Sequence, residues 1–479
     1  EEGLPIHRLR HDQGSTVFAF RSELDSWLAG KSTREEPAAA TVTPEASIAV
    51  LPFVDISQEQ DQGYFCEGMA EEIINALSRL EGLHVASRTS AFQFRGSTAD
   101  CREIGRRLRV RTMLEGSVRM SAGRLRISVR LTAADSGFQL WAERYDREMR
   151  DVFAIQEEIA AKIVEHLQVT LSAEESGALK RMPTRDVEAY DCYLRGRKFY
   201  FHYSRRDVEF AAQLFERAIE LDSAFVLAHA GLADCWSYLY SNAVRTEEVR
   251  RKAEEASLRA VELDPDSACA QAARGSALAI CGRGEEAKRA FEAAIRLDPK
   301  LFEAHYFYAR HVFAEGNLEK AIELYSRAIA LRPEDYQAPL LVAQSYDDLG
   351  RPKEGRRMRE LGVRIAEQSL ESNPDDCRAV YMAANGMVAL GQTARGLEWA
   401  GRALQMKPEE PMVLYNVGCI FSMAGELERA IETMERALEA GLTLKGWYQH
   451  DSNLDPLRGM PRFQALLERL DRLDAHAAG

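Results

Sequence analysis

Apolar residues recur at helical spacing through most of the second half of the chain, and the pattern itself repeats. Within one unit, residues 268–281 and 285–297 carry this spacing and are separated by a glycine-rich turn. Prolines close successive units at Pro265, Pro299 and Pro333, each 34 residues after the last. Proline lacks an amide donor and disfavours helix in the residue before it, so each one marks a helix end. The pattern predicts stacked antiparallel helix pairs, because so small a unit cannot bury its own apolar face.

Small residues occupy the same positions in successive units, with a larger residue between them. In one unit the small residues are Gly275, Ala287 and Ala294, and the larger one is Phe291. This order matches the tetratricopeptide repeat (TPR) pattern, so residues 187–441 resemble that family. The resemblance implies an all-α superhelix of about seven repeats whose concave surface binds a protein or a peptide.

Seven helix pairs are predicted, followed by a C-terminal capping segment at residues 442–479. The pairs are expected at residues 187–223, 225–264, 267–298, 301–332, 335–373, 377–407 and 410–441. Within the capping segment, residues 462–473 have an amphipathic helical pattern, and a terminal helix of this kind covers the last exposed repeat.

Strand and helix patterns alternate through residues 47–172, which predicts a small α/β domain. Residues 125–131 alternate strictly between apolar and polar side chains, as expected for a strand with one buried face. Strands are predicted at 47–54, 83–94, 118–120, 125–131 and 138–145, and helices at 65–80, 100–108 and 152–171.

Several short motifs of this domain resemble those of the TolB-like domain that precedes TPR arrays in bacterial regulators. They lie at Ile48–Phe53, Gly68–Glu72, Leu114–Arg119 and Asp151–Ala160. The resemblance extends over residues 47–172 and implies a non-catalytic accessory domain. Such domains also accompany some class III adenylyl cyclases.

The first 29 residues predict a short hairpin and a brief helix. Alternating apolar residues flank a turn at Gly14, and Ser22 can cap a helix over residues 23–28. The segment resembles the wing and last helix of an excisionase-like winged helix-turn-helix domain. That resemblance implies that a DNA-recognition helix lies upstream of Glu1.

Three side chains of this hairpin are candidates for contact with DNA phosphate: Arg8, Arg10 and His11. Such contacts would position the protein without reading sequence. An ordinary exposed hairpin is an equally open interpretation. Residues 30–46 are rich in Ser, Thr, Glu, Ala and Pro with no periodic apolar face, so they are interpreted as a linker.

The net charge of −13 is unevenly distributed. Residues 88–130 contain eleven arginines and three acids, a net +8, so the remainder carries −21. The basic stretch is consistent with nucleic-acid binding, an acidic partner, contact within the chain or a solvated sheet face.

No apolar run reaches the roughly 20 residues that span a bilayer. Eight scattered cysteines indicate reduced thiols, and the predicted location is the cytoplasm.

No catalytic or metal-binding motif is apparent, so we predict a non-enzymatic protein without a cofactor or metal site. Glu71 and Glu72 have no catalytic partner nearby in sequence and are interpreted as acids favoured by the helix dipole. Ser87, Arg88 and Ser90 are open to two interpretations, an anion site or the end of a strand.

The candidate partner-binding residues occupy one equivalent position on the first helix of successive repeats. They are Asp234, Arg310, Gln344, Asn385 and Asn416, with Ser276 at the same position in the third repeat. A polar row of this kind along a groove can bind an extended peptide, although a solvated row is also possible for each residue.

Three functions fit the sequence. The preferred hypothesis is a bacterial transcriptional regulator that joins a DNA-binding head to a protein-binding solenoid. The alternatives are the accessory region of a class III adenylyl cyclase-type protein and a pure protein-interaction adaptor.

Overall fold

A computed structural model provides the structure of the chain. It describes residues 7–11, 14–18 and 46–477, except for residues 60–61, 79, 81, 87, 98, 122–123, 149–150, 170, 172–182 and 444. The chain divides into two compact units, residues 1–45 and 46–479.

The first unit contains a two-stranded antiparallel hairpin. Strand β1 (His7–His11) pairs with β2 (Gly14–Phe18), and His7 lies opposite Phe18. The predicted hairpin is therefore confirmed. The helix predicted at 23–28 and the linker lie outside the described residues. The proposed phosphate contacts at Arg8, Arg10 and His11 lie on β1 and stay a prediction.

The second unit begins with a six-stranded mixed sheet and its helices. Its elements are β3 (Ser47–Val50), β4 (Val54–Asp55), α1 (Gly63–Ser78), β5 (His84–Val85), α2 (Arg88–Phe92), α3 (Cys101–Leu108), β6 (Thr112–Ser121), β7 (Arg124–Ala133), β8 (Gln139–Glu148) and α4 (Val152–His166). The strand order is β5-β3-β6-β7-β8, with β4 also beside β6. Strand β3 runs parallel to β5 and β6, whereas β6, β7 and β8 form an antiparallel meander.

The alternation seen in the sequence of β7 corresponds to its two faces. Leu125, Ile127 and Val129 are buried, whereas Arg124 and Arg130 are exposed. One face of the antiparallel part therefore packs on the core, as expected for a half-buried strand.

The strand predicted over residues 83–94 is wrong for most of its length. Only His84 and Val85 pair with the sheet, and Arg88–Phe92 forms the short helix α2. The helix places the Arg88 guanidinium near Glu67 and Glu71, with N–O distances of 3.4 and 3.1 Å. A short apolar run does not distinguish strand from helix by its period, and this tertiary contact favours helix.

The described part of the chain after residue 186 is helical. Its elements are α5 (Val187–Tyr200), α6 (Arg205–Leu221), α7 (Val226–Asn242), α8 (Glu247–Leu263), α9 (Ala268–Ile280), α10 (Gly284–Leu297), α11 (Phe302–Ala314), α12 (Leu318–Leu331), α13 (Gln337–Asp348), α14 (Pro352–Ser372), α15 (Cys377–Ala389), α16 (Thr393–Met406), α17 (Pro411–Met423), α18 (Leu427–Glu439), α19 (Lys445–His450), a 3-10 helix (Ser452–Leu457) and α20 (Pro461–Ala477). Helices α5 to α18 form consecutive antiparallel pairs. Among the described residues, no helix is both long and apolar enough to cross a membrane.

Side-chain size explains how the two helices of a pair approach each other. A Cβ atom added to Gly275 on α9 would lie 2.8 Å from the Phe291 ring on α10. The turn between these helices passes through Gly282 with φ at +73°, a left-handed conformation that glycine adopts without strain. The small and large residues of the repeat pattern thus set the helix–helix distance.

The solenoid closes on itself. The backbone N–H of Arg205, at the start of α6, donates to Glu410 Oε1 at 3.2 Å. Lys407 Nζ lies 3.6 Å from Asp207 Oδ2. These contacts join the first helix pair to the loop between the sixth and seventh pairs. The sequence predicts a concave groove lined by the first helices; in the structure these helices surround a small lumen, because the two ends of the array meet.

The α/β region packs directly on the first helix pair, because one hydrophobic core includes residues of both. At their boundary the Glu71 carboxylate forms ion pairs with Arg88 and with Arg197, the latter with an N–O distance of 2.8 Å. Burial acts to raise the pKa of Glu71, but the two guanidinium groups hold it below its ordinary value. The structural role expected for Glu71 therefore comes from these ion pairs, since the residue lies in the middle of α1 and not at its first turn.

Candidate binding lumen of the solenoid

The first helices of successive pairs line a cavity of about 330 Å³ at the centre of the ring. Helices α7, α9 and α11 contribute Asp234, Ser276 and Arg310 to its wall. These three residues belong to the polar row found in the sequence, and their repeat-equivalent positions bring them together. The cavity is at the small end of the roughly 300–1,000 Å³ typical of ligand sites.

The other half of the predicted row lies outside this cavity. Gln344 is half-buried, as are Asn385 and Asn416. The Asn385 side-chain amide lies 3.5 Å from the sulfur of Met423, and the Asn416 amide donates to the carbonyl of Met412 at 2.8 Å. The structure therefore brings together only part of the candidate site.

A second row of repeat-equivalent residues, which the sequence reasoning missed, contributes two side chains to the cavity wall. It lies two helical turns before the first row, at Cys269, Glu303, Gln337 and Arg378. Residues seven apart share a helix face, so the repeat alignment contained this signal. Of the four, Gln337 and Arg378 line the cavity.

Tyrosines form much of the wall, among them Tyr203, Tyr238 and Tyr306. The Tyr203 and Tyr238 rings lie 5.6 Å apart, and the Tyr238 hydroxyl donates to the Tyr203 carbonyl. Tyr203 has φ at +49°, in the left-handed region that non-glycine residues rarely adopt. Such strained residues persist where the surrounding structure over-determines them, often at sites of ligand contact.

Three arginines line the cavity: Arg245, Arg310 and Arg378. Within the part of the chain that the structure describes, none of the three forms an ion pair with a carboxylate, and the Arg245 guanidinium lies 5.6 Å from the Tyr240 ring centroid. The Arg378 guanidinium lies 4.7 Å above the Tyr203 ring, and its buried Nε has no hydrogen-bond partner among the described residues.

The single carboxylate in the described cavity wall belongs to Asp234. Burial, and then the nearby carboxylate of Glu303, raise the pKa of Asp234 to about 8. Asp234 therefore keeps its proton to higher pH than an ordinary aspartate does, which weakens its compensation of the arginine charges. Burial acts to raise the pKa of Glu303 as well, but Arg332 and Arg197 hold it below its ordinary value.

A larger hollow of about 730 Å³ lies elsewhere on the solenoid, between α10, α11 and α12. Three of its charged side chains have partners: Lys320 Nζ lies 2.9 Å from Glu323, and the Glu292 carboxylate accepts from the Tyr308 hydroxyl at 3.2 Å. We therefore regard the lumen as the stronger candidate site. No cluster of potential metal ligands occurs among the described residues.

Two family models match parts of the chain. Residues 281–336 match the tetratricopeptide repeat, and residues 44–162 match the second domain of HilA/YgeH-like transcriptional regulators. The solenoid is thus a TPR protein-interaction region that follows a regulator-like domain. The resemblance of residues 47–172 to TolB-like domains stays a prediction.

One curated relative and two solved structures provide further comparisons. A protein of Rhizobium meliloti (strain 1021) named "Putative adenylate cyclase 3" is 39% identical over 213 residues, which cover 43% of this chain and 36% of that protein. The chain thus spans about a third of that relative's length. The crystal structure of MamA is 22% identical with a TM-score of 0.29, and covers 37% of this chain and 96% of its own. YrrB, described as a TPR protein with an unusual peptide-binding site, is 18% identical with a TM-score of 0.28, and covers 39% and 93%.

Proposed function

We propose that this chain is a non-catalytic part of a bacterial DNA-binding transcriptional regulator whose solenoid binds a short segment of a partner protein at its inner wall. The match of residues 44–162 to a regulator domain, directly followed by TPR helices, is the observation that carries this proposal. A cytoplasmic location accords with this role.

The inner wall supports partner binding by its composition. Asp234, Ser276 and Arg310 come from three successive repeats and open into one cavity, so they offer both donors and acceptors along a line. Polar groups of this kind can pair with the backbone and side chains of a peptide. A cavity of about 330 Å³ fits a few residues and not a long extended strand. In this proposal Gln344, Asn385 and Asn416 contact the partner where it leaves the cavity.

A peptide-display selection tests the proposed partner site. Peptides are selected on the wild-type chain and then measured against Arg310→Ala and against Arg259→Ala. Arg259 is exposed and pairs with Glu262 on α8, away from the lumen, so it serves as the matched control. We expect Arg310→Ala to weaken selected peptides at least tenfold, about 1.4 kcal/mol, and Arg259→Ala to leave them unchanged. Peptides that ignore both substitutions would place the partner elsewhere.

The regulatory assignment is tested on the full-length gene product. We expect it to protect a DNA sequence from nuclease digestion, with affinity that falls as salt concentration rises because phosphate contacts release counterions. Binding to no DNA sequence would remove the regulator from the proposal while leaving the partner site intact.

The name of the Rhizobium relative favours a second candidate, the accessory region of an adenylyl cyclase-type protein. In that function another domain performs the catalysis, since no cyclase motif is apparent in this sequence and no group of three or more potential metal ligands occurs among the described residues. Incubating the full-length product with ATP and measuring cyclic AMP distinguishes the two. Cyclic AMP formation would favour the cyclase.

A further inference from the structure

The lumen combines unpaired cations with a cavity that the ring closure makes small. Arg245 comes from the loop before α8, Arg310 from α11 and Arg378 from α15, so three separate elements direct guanidinium groups to one space of about 330 Å³. The whole chain carries a net charge of −13, yet the described residues offer none of these three groups a carboxylate partner. Arg245 is exposed, whereas Arg310 and Arg378 are half-buried, and half-buried cations without a carboxylate partner favour the binding of an anion.

Among these arginines, Arg378 has the surroundings that most clearly favour a bound anion. Its charge lies among the hydroxyl groups of tyrosines, including Tyr306, Tyr336 and Tyr381, and not beside an acid. Its Nε is buried and makes no hydrogen bond to any described residue. A buried donor without an acceptor destabilises a protein by about 1–3 kcal/mol, so the described residues leave this guanidinium incompletely paired.

The aromatic part of the wall indicates the rest of the ligand. Tyr203 and Tyr238 present rings 5.6 Å apart, and the cavity also includes Phe307 and Trp447. Planar ligands pack well on aromatic faces, and arginine guanidinium groups hold phosphate oxygens in pairs. A phosphate carries up to two charges and several acceptor oxygens, which suits several arginines better than one carboxylate does.

We propose that the lumen binds a small planar phosphate ester of mononucleotide size, with the phosphate held by Arg310 and Arg378 and the ring packed against Tyr203. The burial that raises the pKa of Asp234 also weakens the one negative charge in the described wall of this site. The proposal does not rest on partner binding, because the ligand is a small molecule and is tested with different probes.

Ligand binding would also act on the closure of the ring. Tyr203 belongs to the first helix pair and Arg378 to the sixth, and they meet only because the ring is closed. A ligand held by both therefore stabilises the closed form through its differential affinity for it. We expect the ligand to raise the melting temperature of the chain.

Isothermal titration of the full chain tests the proposal with three probes: AMP, adenosine and inorganic phosphate. We expect AMP to bind at least tenfold more tightly than either fragment, because only AMP carries both the ring and the phosphate. Arg378→Gln and Arg310→Gln should each weaken AMP at least tenfold, and the exposed control Arg259→Gln should not.

Titration with AMP can also overturn the proposal. The site as described is excluded by any of three outcomes: AMP binds no more tightly than phosphate or adenosine, AMP gives no saturable heat at millimolar concentration, or AMP binds Arg310→Gln as tightly as it binds the wild type. Far-UV circular dichroism identifies any variant that fails to fold. If Arg378→Gln does so, the half-buried Arg310→Gln decides the outcome.

Discussion

Replacing Asp234 by Asn removes a carboxyl group of the lumen wall whose ionised form is disfavoured in the folded chain. Burial, and then the carboxylate of Glu303, raise the pKa of Asp234 from its ordinary 3.8 to about 8. In the unfolded chain the carboxyl loses its proton near pH 3.8, whereas in the folded chain it keeps the proton until about pH 8. Between these values the unfolded state binds fewer protons, so the free energy of unfolding falls as pH rises. Asn cannot ionise and escapes this loss.

The pKa values set the size of the effect. Each tenfold difference in proton affinity is worth about 1.4 kcal/mol, so the change from 3.8 to about 8 has an upper limit of about 6 kcal/mol. The Asp234 side chain is only half-buried, and water in the lumen screens its charge. We therefore expect Asp234→Asn to gain about 1–3 kcal/mol at pH values above the folded pKa, with the gain shrinking toward pH 4.

Urea-induced unfolding measured at about pH 5 and about pH 8 tests this reasoning. The gain of Asp234→Asn over the wild type should be larger at the higher pH. Asp266→Asn is the matched control, because Asp266 is exposed and the substitution removes the same charge from the same repeat array. A gain that is equal at both pH values, or shared by the control, would refute the electrostatic explanation.

Two further predictions concern packing and the domain boundary. Glu71→Gln leaves the Arg197 guanidinium without its buried partner and should lower the free energy of unfolding by about 2–4 kcal/mol. Adding Arg197→Met should recover part of the lost stability in a thermal melt. If the double variant recovers none of it, the ion-pair explanation is wrong. Gly275→Ala should cost about 1–3 kcal/mol in urea unfolding because its Cβ meets the Phe291 ring at 2.8 Å. Gly401→Ala, a helical site with nothing within 4 Å, should instead gain about 0.5–1 kcal/mol, and effects of the same sign would refute the packing argument.

The repeat period predicted the helix pairs well because each pair depends on local packing. Gly275 and the ring of Phe291 are in contact within one helix pair, so the contact can be predicted from their positions in the repeat pattern. The same holds for β7, where alternation of residues 124–130 matches the buried and exposed faces. In both cases the residues that define the contact or the buried face lie within about 20 positions of one another in the sequence.

The ring closure was not predictable in this way. The hydrogen bond from Arg205 to Glu410 joins residues 205 positions apart, and it results from the small rotation that accumulates over several repeats. The alignment located Asp234 and Arg310, but only the closed ring brings Arg378 over Tyr203. The helix at Arg88–Phe92 was missed for a similar reason, because its contacts with Glu67 and Glu71 come from another element.

Closure restricts how the gene for this chain can change. An open array can gain or lose a whole unit by duplication or deletion, because each unit contacts only its neighbours. Here the Lys407–Asp207 contact requires a particular number of units between its two ends. One additional repeat would separate Lys407 and Asp207 by the width of a helix pair. We therefore expect the number of repeats to stay constant, whereas in an open array it can change by duplication or deletion.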